Sequence, residues 1–192
     1  MMTKNCNNLF LIGLMGAGKT TVGKQLARTR NMNFLDSDHE IEHRTGASIP
    51  LIFELEGEEG FREREALIIE EITQNNNQVI ATGGGTVLND KNRKHLTERG
   101  IVIYLRASAE ELWERTKHDK NRPLLLTEDP LAKLKQLESI RAPLYENLAD
   151  IIIDTGKKNL YALVQQLNPL ITLYIKTHSN DKTSHANTER QS

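Results

Sequence analysis

Leu9-Phe-Leu-Ile12 followed by Gly13-Leu-Met-Gly-Ala-Gly18-Lys19-Thr20-Thr21 is the stretch on which the fold turns. Four consecutive apolar residues read as a buried strand, the next eight fit G-x-x-x-x-G-K-S/T, and Val22 to Arg28 continues with helix-compatible spacing. A loop at such a junction turns backbone N–H groups inward on phosphate oxygens, and the helix N-terminus adds its partial positive charge. Gly16, Ala17, Gly18, Lys19, Thr20 and Thr21 are therefore the expected phosphate contacts. Lys19 reaches the β and γ phosphates, and the Thr20 hydroxyl is offered to Mg²⁺. The plainer reading, a glycine turn with a solvated lysine, leaves the strand-to-helix placement unexplained.

Outward from this stretch, short apolar runs recur at Phe34–Leu35, Val79–Ala81, Ile101–Leu105 and Ile151–Ile153. Most lack polar alternation, so they read as strands buried on both faces. Longer amphipathic segments separate them; in GFREREALIIEEIT the spacing of Phe61, Ala66, Leu67, Ile69 and Ile72 predicts a helix with those residues inward. Strand and helix alternate. The expected architecture is α/β, a parallel five-stranded sheet with helices on both faces, and ligands should gather at the carboxyl ends of its strands.

The 192 residues suit one domain, placed at 1–175. Residues 176–192 hold no large aliphatic or aromatic side chain and read as a disordered polar tail. With 25 Lys plus Arg against 26 Asp plus Glu, the net charge of −1 gives no global attraction to nucleic acid or anionic lipid. No apolar run approaches the roughly 20 residues of a membrane span. MMTKNCNN has no apolar stretch of signal-peptide kind, and the single Cys6 suits a reducing compartment, so a cytoplasmic protein is expected.

Two further patterns compete with the nucleotide reading. His39-Glu40-Ile41-Glu42-His43 fits the zinc pattern H-E-x-x-H, but the sequence places no third ligand. Thr116-Lys-His-Asp119 resembles the N/T-K-x-D segment that reads guanine, yet it comes after the helical run Ala109–Arg115 instead of closing a strand. Beyond these, Gly83-Gly84-Gly85 directly succeeds the third strand and invites close backbone approach to a ligand. Arg115, Lys117, Lys120 and Arg122 form a cationic stretch suited to a lid over phosphates, at about residues 112–126. Arg62 and Arg141, taken alone, are helix-surface arginines.

In register, GLMGAGKTT, FLDSD, GASI, FELEGEEGFREREA, VIATGGGTV, RTKHDKNRPLL, RAPLYENLAD and IIIDT closely resemble the shikimate kinase family over about Leu9 to Leu167. The resemblance implies a nucleotide-kinase-like fold with a mobile lid and transfer of the γ-phosphoryl group of ATP to the 3-hydroxyl of shikimate. It implies that Thr20 and Asp36 serve Mg²⁺, and that Asp38 holds the acceptor hydroxyls. Arg62 and Arg141 would clamp the acceptor carboxylate, with Glu65 orienting Arg62, and the backbone of Gly83, Gly84 and Gly85 would approach the ring hydroxyls. Lys19 and Arg122 would flank the transferring phosphate, and Arg115 would lie against the adenine. ATP and shikimate are then the partners, with no nucleic acid or membrane, and a monomer is expected. A gluconate kinase on the same scaffold and a nucleotide-binding module without turnover are the rival readings.

Overall fold

The computed structural model describes residues 6–119, 123–156 and 158–179. Five strands, β1 (Leu9–Ile12), β2 (Asn33–Asp36), β3 (Gln78–Ala81), β4 (Ile101–Arg106) and β5 (Ile151–Asp154), form one sheet. Their order is β2-β3-β1-β4-β5, and every pairing is parallel. The helices are α1 (Lys19–Arg30), α2 (Ser37–Thr45), α3 (Ile49–Ile72), α4 (Asp90–Arg99), α5 (Ala109–Thr116), α6 (Pro130–Leu148) and α7 (Leu160–Ser179).

β1, at the centre, is buried at all four positions, as its unbroken apolar run requires. The two edge strands depart from the expectation of full burial. β5 alternates buried and exposed residues, leaving Ile152 40% exposed, and β2 is only partly covered, because each lacks a neighbour on one side. In α3 the buried residues include Phe61, Glu65, Ile68, Ile69 and Ile72, while Leu67 is 67% exposed. A buried carboxylate at Glu65 takes a place on the face that hydrophobicity assigned to Leu67.

Two boundaries move. Helix α7 continues through Lys176 to Ser179, past the expected domain end at residue 175, because Ile171 and the partly buried Tyr174 and Ile175 pack that helix onto the core. The last thirteen residues, 180–192, lie outside the described residues. The expected lid segment also starts too early. Leu112 and Thr116 belong to α5 and are 1% and 3% exposed, so the first part of that segment is packed helix.

Side chains cap most helix starts: Asp36 for α2, Ser48 for α3, Asn89 for α4, a Ser108–Glu111 capping box for α5 and Asp129 for α6. Helix α1 differs. Its N-cap is Gly18, left-handed at φ 90°, and no side chain caps the first turn. An amide-rich helix end without a protein cap sits directly after the central strand.

Candidate active site

Parallel pairing brings three strand ends together. Leu11 of β1 is in register with Ala81 of β3, and Ala81 with Asp36 of β2. The loop after β1, the turn into α2 and the Gly83-Gly84-Gly85 segment therefore share one edge of the sheet.

On the α1 side, Lys19 is buried and folds back onto its own loop, its Nζ donating to the carbonyls of Gly13 at 2.7 Å and Leu14 at 2.9 Å. The Thr20 hydroxyl donates to Oδ2 of Asp36 at 2.6 Å, and Oδ1 of the same carboxylate caps α2 through the Asp38 amide. One carboxylate thus ties the end of β2 to the start of α1. Arg115 bridges this loop to the segment after β5: it donates to the Gly16 carbonyl at 3.4 Å, to Thr155 Oγ1 at 3.1 Å and to the Gly156 carbonyl. A groove lined by Gly18, Thr21, Arg115, Thr155 and Lys158 continues away from the loop. Thr116 lies under Gly16, whose ideal Cβ position is 2.6 Å from its methyl group, so this threonine is packing for the cradle and not a reader of a base.

The second cavity encloses about 540 Å³ including its open mouth. Met15, Ile49, Phe53, Phe61 and Leu124 supply apolar walls; Asp38, Arg62, Glu65, Gly84 and Arg141 supply polarity. Glu65, 1% exposed, accepts from Arg62 NH1 at 2.7 Å and from the Thr86 hydroxyl at 2.6 Å. This is the expected orienting contact, with a threonine added that the sequence did not point to. Arg141 is 3% exposed, so it is not the solvated helix arginine that its position alone suggests.

The three glycines divide the work. A Cβ on Gly83 would lie 2.5 Å from Glu65 Oε1 and 2.7 Å from Asp38 Oδ1, and one on Gly85 would lie 2.2 Å from Arg62 NH2. These two make room for the protein's own charged side chains. At Gly84 the nearest atoms are 3.5 Å away, and its carbonyl accepts from the buried Tyr145 hydroxyl. Tyr145 has no role in the sequence reading, although its i,i+4 spacing from Arg141 puts both on one face of α6.

Asp38 stands where the two cavities meet and lines both. Its Oδ1 is enclosed and has no hydrogen-bond partner. Burial is the main cause that raises its pKa to about 7; the neighbouring Glu65 and Asp36 add to the rise, and Lys19 and Arg62 oppose it. Among the described residues no group of three or more His, Cys, Asp or Glu side chains is placed to hold a metal ion. His39 and His43 lie on α2 with no such group around them. Arg122 lies outside the described residues.

The shikimate kinase family model matches residues 15–172. The chain belongs to the shikimate kinase family. A shikimate kinase of Burkholderia thailandensis is 58% identical over 160 residues, 83% of this chain and 87% of the relative. The solved shikimate kinase of Acinetobacter baumannii in complex with shikimate superposes with a TM-score of 0.86 at 48% identity, covering 89% of this chain and 96% of that one. A gluconokinase of Sinorhizobium meliloti, at a TM-score of 0.58 and 14% identity, shares the fold alone. The expected α/β kinase fold and family are thus both found.

Proposed function

We propose that the chain transfers the γ-phosphoryl group of ATP to the 3-hydroxyl of shikimate, giving 3-phosphoshikimate and ADP. The observation that carries this reading is the placement of Arg62, Arg141 and the unpartnered Asp38 oxygen in one cavity that opens onto the uncapped start of α1. A carboxylate on the acceptor satisfies the two guanidinium groups, which offer planar, paired donors that lysine lacks. Its ring hydroxyls meet Asp38 and the backbone of Gly83, Gly84 and Gly85. Family membership and the likeness to a shikimate complex support the same substrate.

Gly16 to Thr21 take the ATP phosphates, and the groove beside Arg115 takes the adenine side. The hydroxyl and carboxylate oxygens of Thr20 and Asp36 suit Mg²⁺, a hard cation that keeps several waters. When bound, that ion would supply neutralisation of the phosphate charge.

In the reaction the bond from the γ-phosphorus to the β–γ bridging oxygen breaks and a bond to the acceptor oxygen forms. The hydroxyl proton passes to Asp38. A loose transition state puts little charge on the attacking oxygen, so that transfer is late and the larger contribution of Asp38 is to hold the hydroxyl in line. Lys19 stabilises the transferring charge from the cradle side, and Arg122 does so from the segment after Thr116, whose Leu124 lines the acceptor cavity. The enzyme is proposed to be a monomer in the cytoplasm.

ADP release with Mg-ATP tests the proposal, comparing shikimate, gluconate and no acceptor, with and without EDTA. Shikimate-dependent, EDTA-sensitive release is expected. Release with gluconate alone removes the roles of Arg62 and Arg141; no release with either leaves a nucleotide-binding module.

A further inference from the structure

Arg62 is already partnered twice in the described site. Its NH1 donates to buried Glu65, and its Nε and NH2 both donate to Oε1 of Glu58, at 3.3 and 3.0 Å. The two carboxylates differ in kind. Glu65 is 1% exposed and its other oxygen is held by Thr86, whereas Glu58 is 48% exposed. Nε and NH2 make up the edge of a guanidinium that grips a carboxylate side-on. The ideal Cβ position of Gly85, which lines the acceptor cavity, lies 2.2 to 2.4 Å from NH2, Cζ and NH1 of Arg62 alike. The guanidinium group therefore lies against that wall while a carboxylate of the protein holds its Nε–NH2 edge.

The backbone lets Glu58 let go. Gly57, at φ 71° and ψ −175°, interrupts α3, so Glu58 is the first residue of the helix's second part. A helix start favours an anion, and a half-exposed carboxylate stays hydrated, so release from Arg62 strands no buried charge. The neighbouring Arg64 does not compete for it, being engaged by both oxygens of Glu56 at 2.7 and 2.6 Å.

We infer that Glu58 is an internal stand-in for the acceptor's carboxylate, neutralising Arg62 until the acceptor displaces it from the Nε–NH2 edge. The inference rests on the reading of Arg62 as a carboxylate clamp. Acceptor binding then exchanges one carboxylate for another, and the site gives up some affinity while Arg62 is kept oriented and shielded from stray anions.

Calorimetric titration of shikimate and of its methyl ester into nucleotide-free wild type, Glu58→Gln and Arg62→Ala tests this. Glu58→Gln is expected to bind shikimate about threefold tighter, the size of one half-exposed ion pair, with the same factor in KM. The neutral ester should bind no tighter. A merely structural ion pair would give unchanged or weaker shikimate binding on its removal, and that result overturns the inference. So does equal tightening of acid and ester, which reports a reshaped cavity. Arg62→Ala separates the two layers: unchanged shikimate binding there removes the clamp itself, whereas weakened binding there with no tightening in Glu58→Gln removes only the stand-in.

Discussion

The phosphate cradle and the acceptor cavity meet at Asp38 but are built in opposite ways. The cradle is contiguous, residues 13 to 21, and offers backbone amides, one lysine and an uncapped helix. Its charge is kept close by local carbonyls, and the rest of the chain reaches it through Asp36, Arg115 and Thr116. The acceptor cavity is assembled from α2, α3, the turn after β3 and α6, and its charges hold one another: Glu65 ties Arg62 and Thr86, and Gly83 and Gly85 are bare because charged side chains press against them. The lesson is that a site for phosphate can be written in one loop, whereas a site for a small hydroxy acid depends on a network drawn from several elements.

The sharpest break of the comparison is Lys19→Ala, which should lower kcat by about 10³-fold, the scale of losing one preorganised charge at a transition state, with little change in shikimate KM. Arg62→Ala should do the reverse, raising shikimate KM by about 10²-fold as the partner of buried Glu65 is lost and the clamp halved. Steady-state kinetics on both variants decides whether the two regions divide kcat from KM.

Asp38→Asn sharpens the contrast through stability. A carboxyl whose folded pKa is raised from 3.8 to about 7 stabilises fully below pH 3.8 and loses that contribution as pH rises through about 7. At pH 8 the neutral variant should therefore be more stable, by at most about 4 kcal/mol, and melt several degrees higher. Near pH 4 the gain should vanish; melting curves at the two pH values test it. Gly85→Ala should raise shikimate KM about tenfold, because its Cβ falls 2.2 Å from Arg62 NH2 and must push the guanidinium aside. Tyr145→Phe is the mildest: leaving the Gly84 carbonyl without its donor should cost about 1 kcal/mol in denaturant titrations and shift shikimate KM only a few-fold.

The same contrast governs what the sequence makes legible. The cradle is read directly, because its spacing is local and each glycine, Lys19 and Thr20 has a chemical reason to be there. The strands are found for the same reason, and the edges β2 and β5 are misjudged as fully buried because a run of apolar letters does not say which strand lacks a neighbour. Arg62 and Arg141 look like surface residues until the fold buries Arg141 and half-buries Arg62, and their roles enter only through the resemblance. Tyr145 and Thr86 are missed although both lie inside recognisable motifs, since their contacts, with Gly84 and Glu65, span 61 and 21 residues. Leu67 and Glu65 exchange places for a related reason: hydrophobicity cannot foresee a carboxylate buried against an arginine.

The central claim is that a desolvated Asp38 joins the two regions and must be ionised to hold the acceptor hydroxyl. Its most direct test is kcat/KM for shikimate as a function of pH. The account expects a single-proton fall below a midpoint of about pH 7, set by burial together with Glu65 and Asp36 against Lys19 and Arg62. A profile that stays flat down to the ordinary carboxylate range would contradict it.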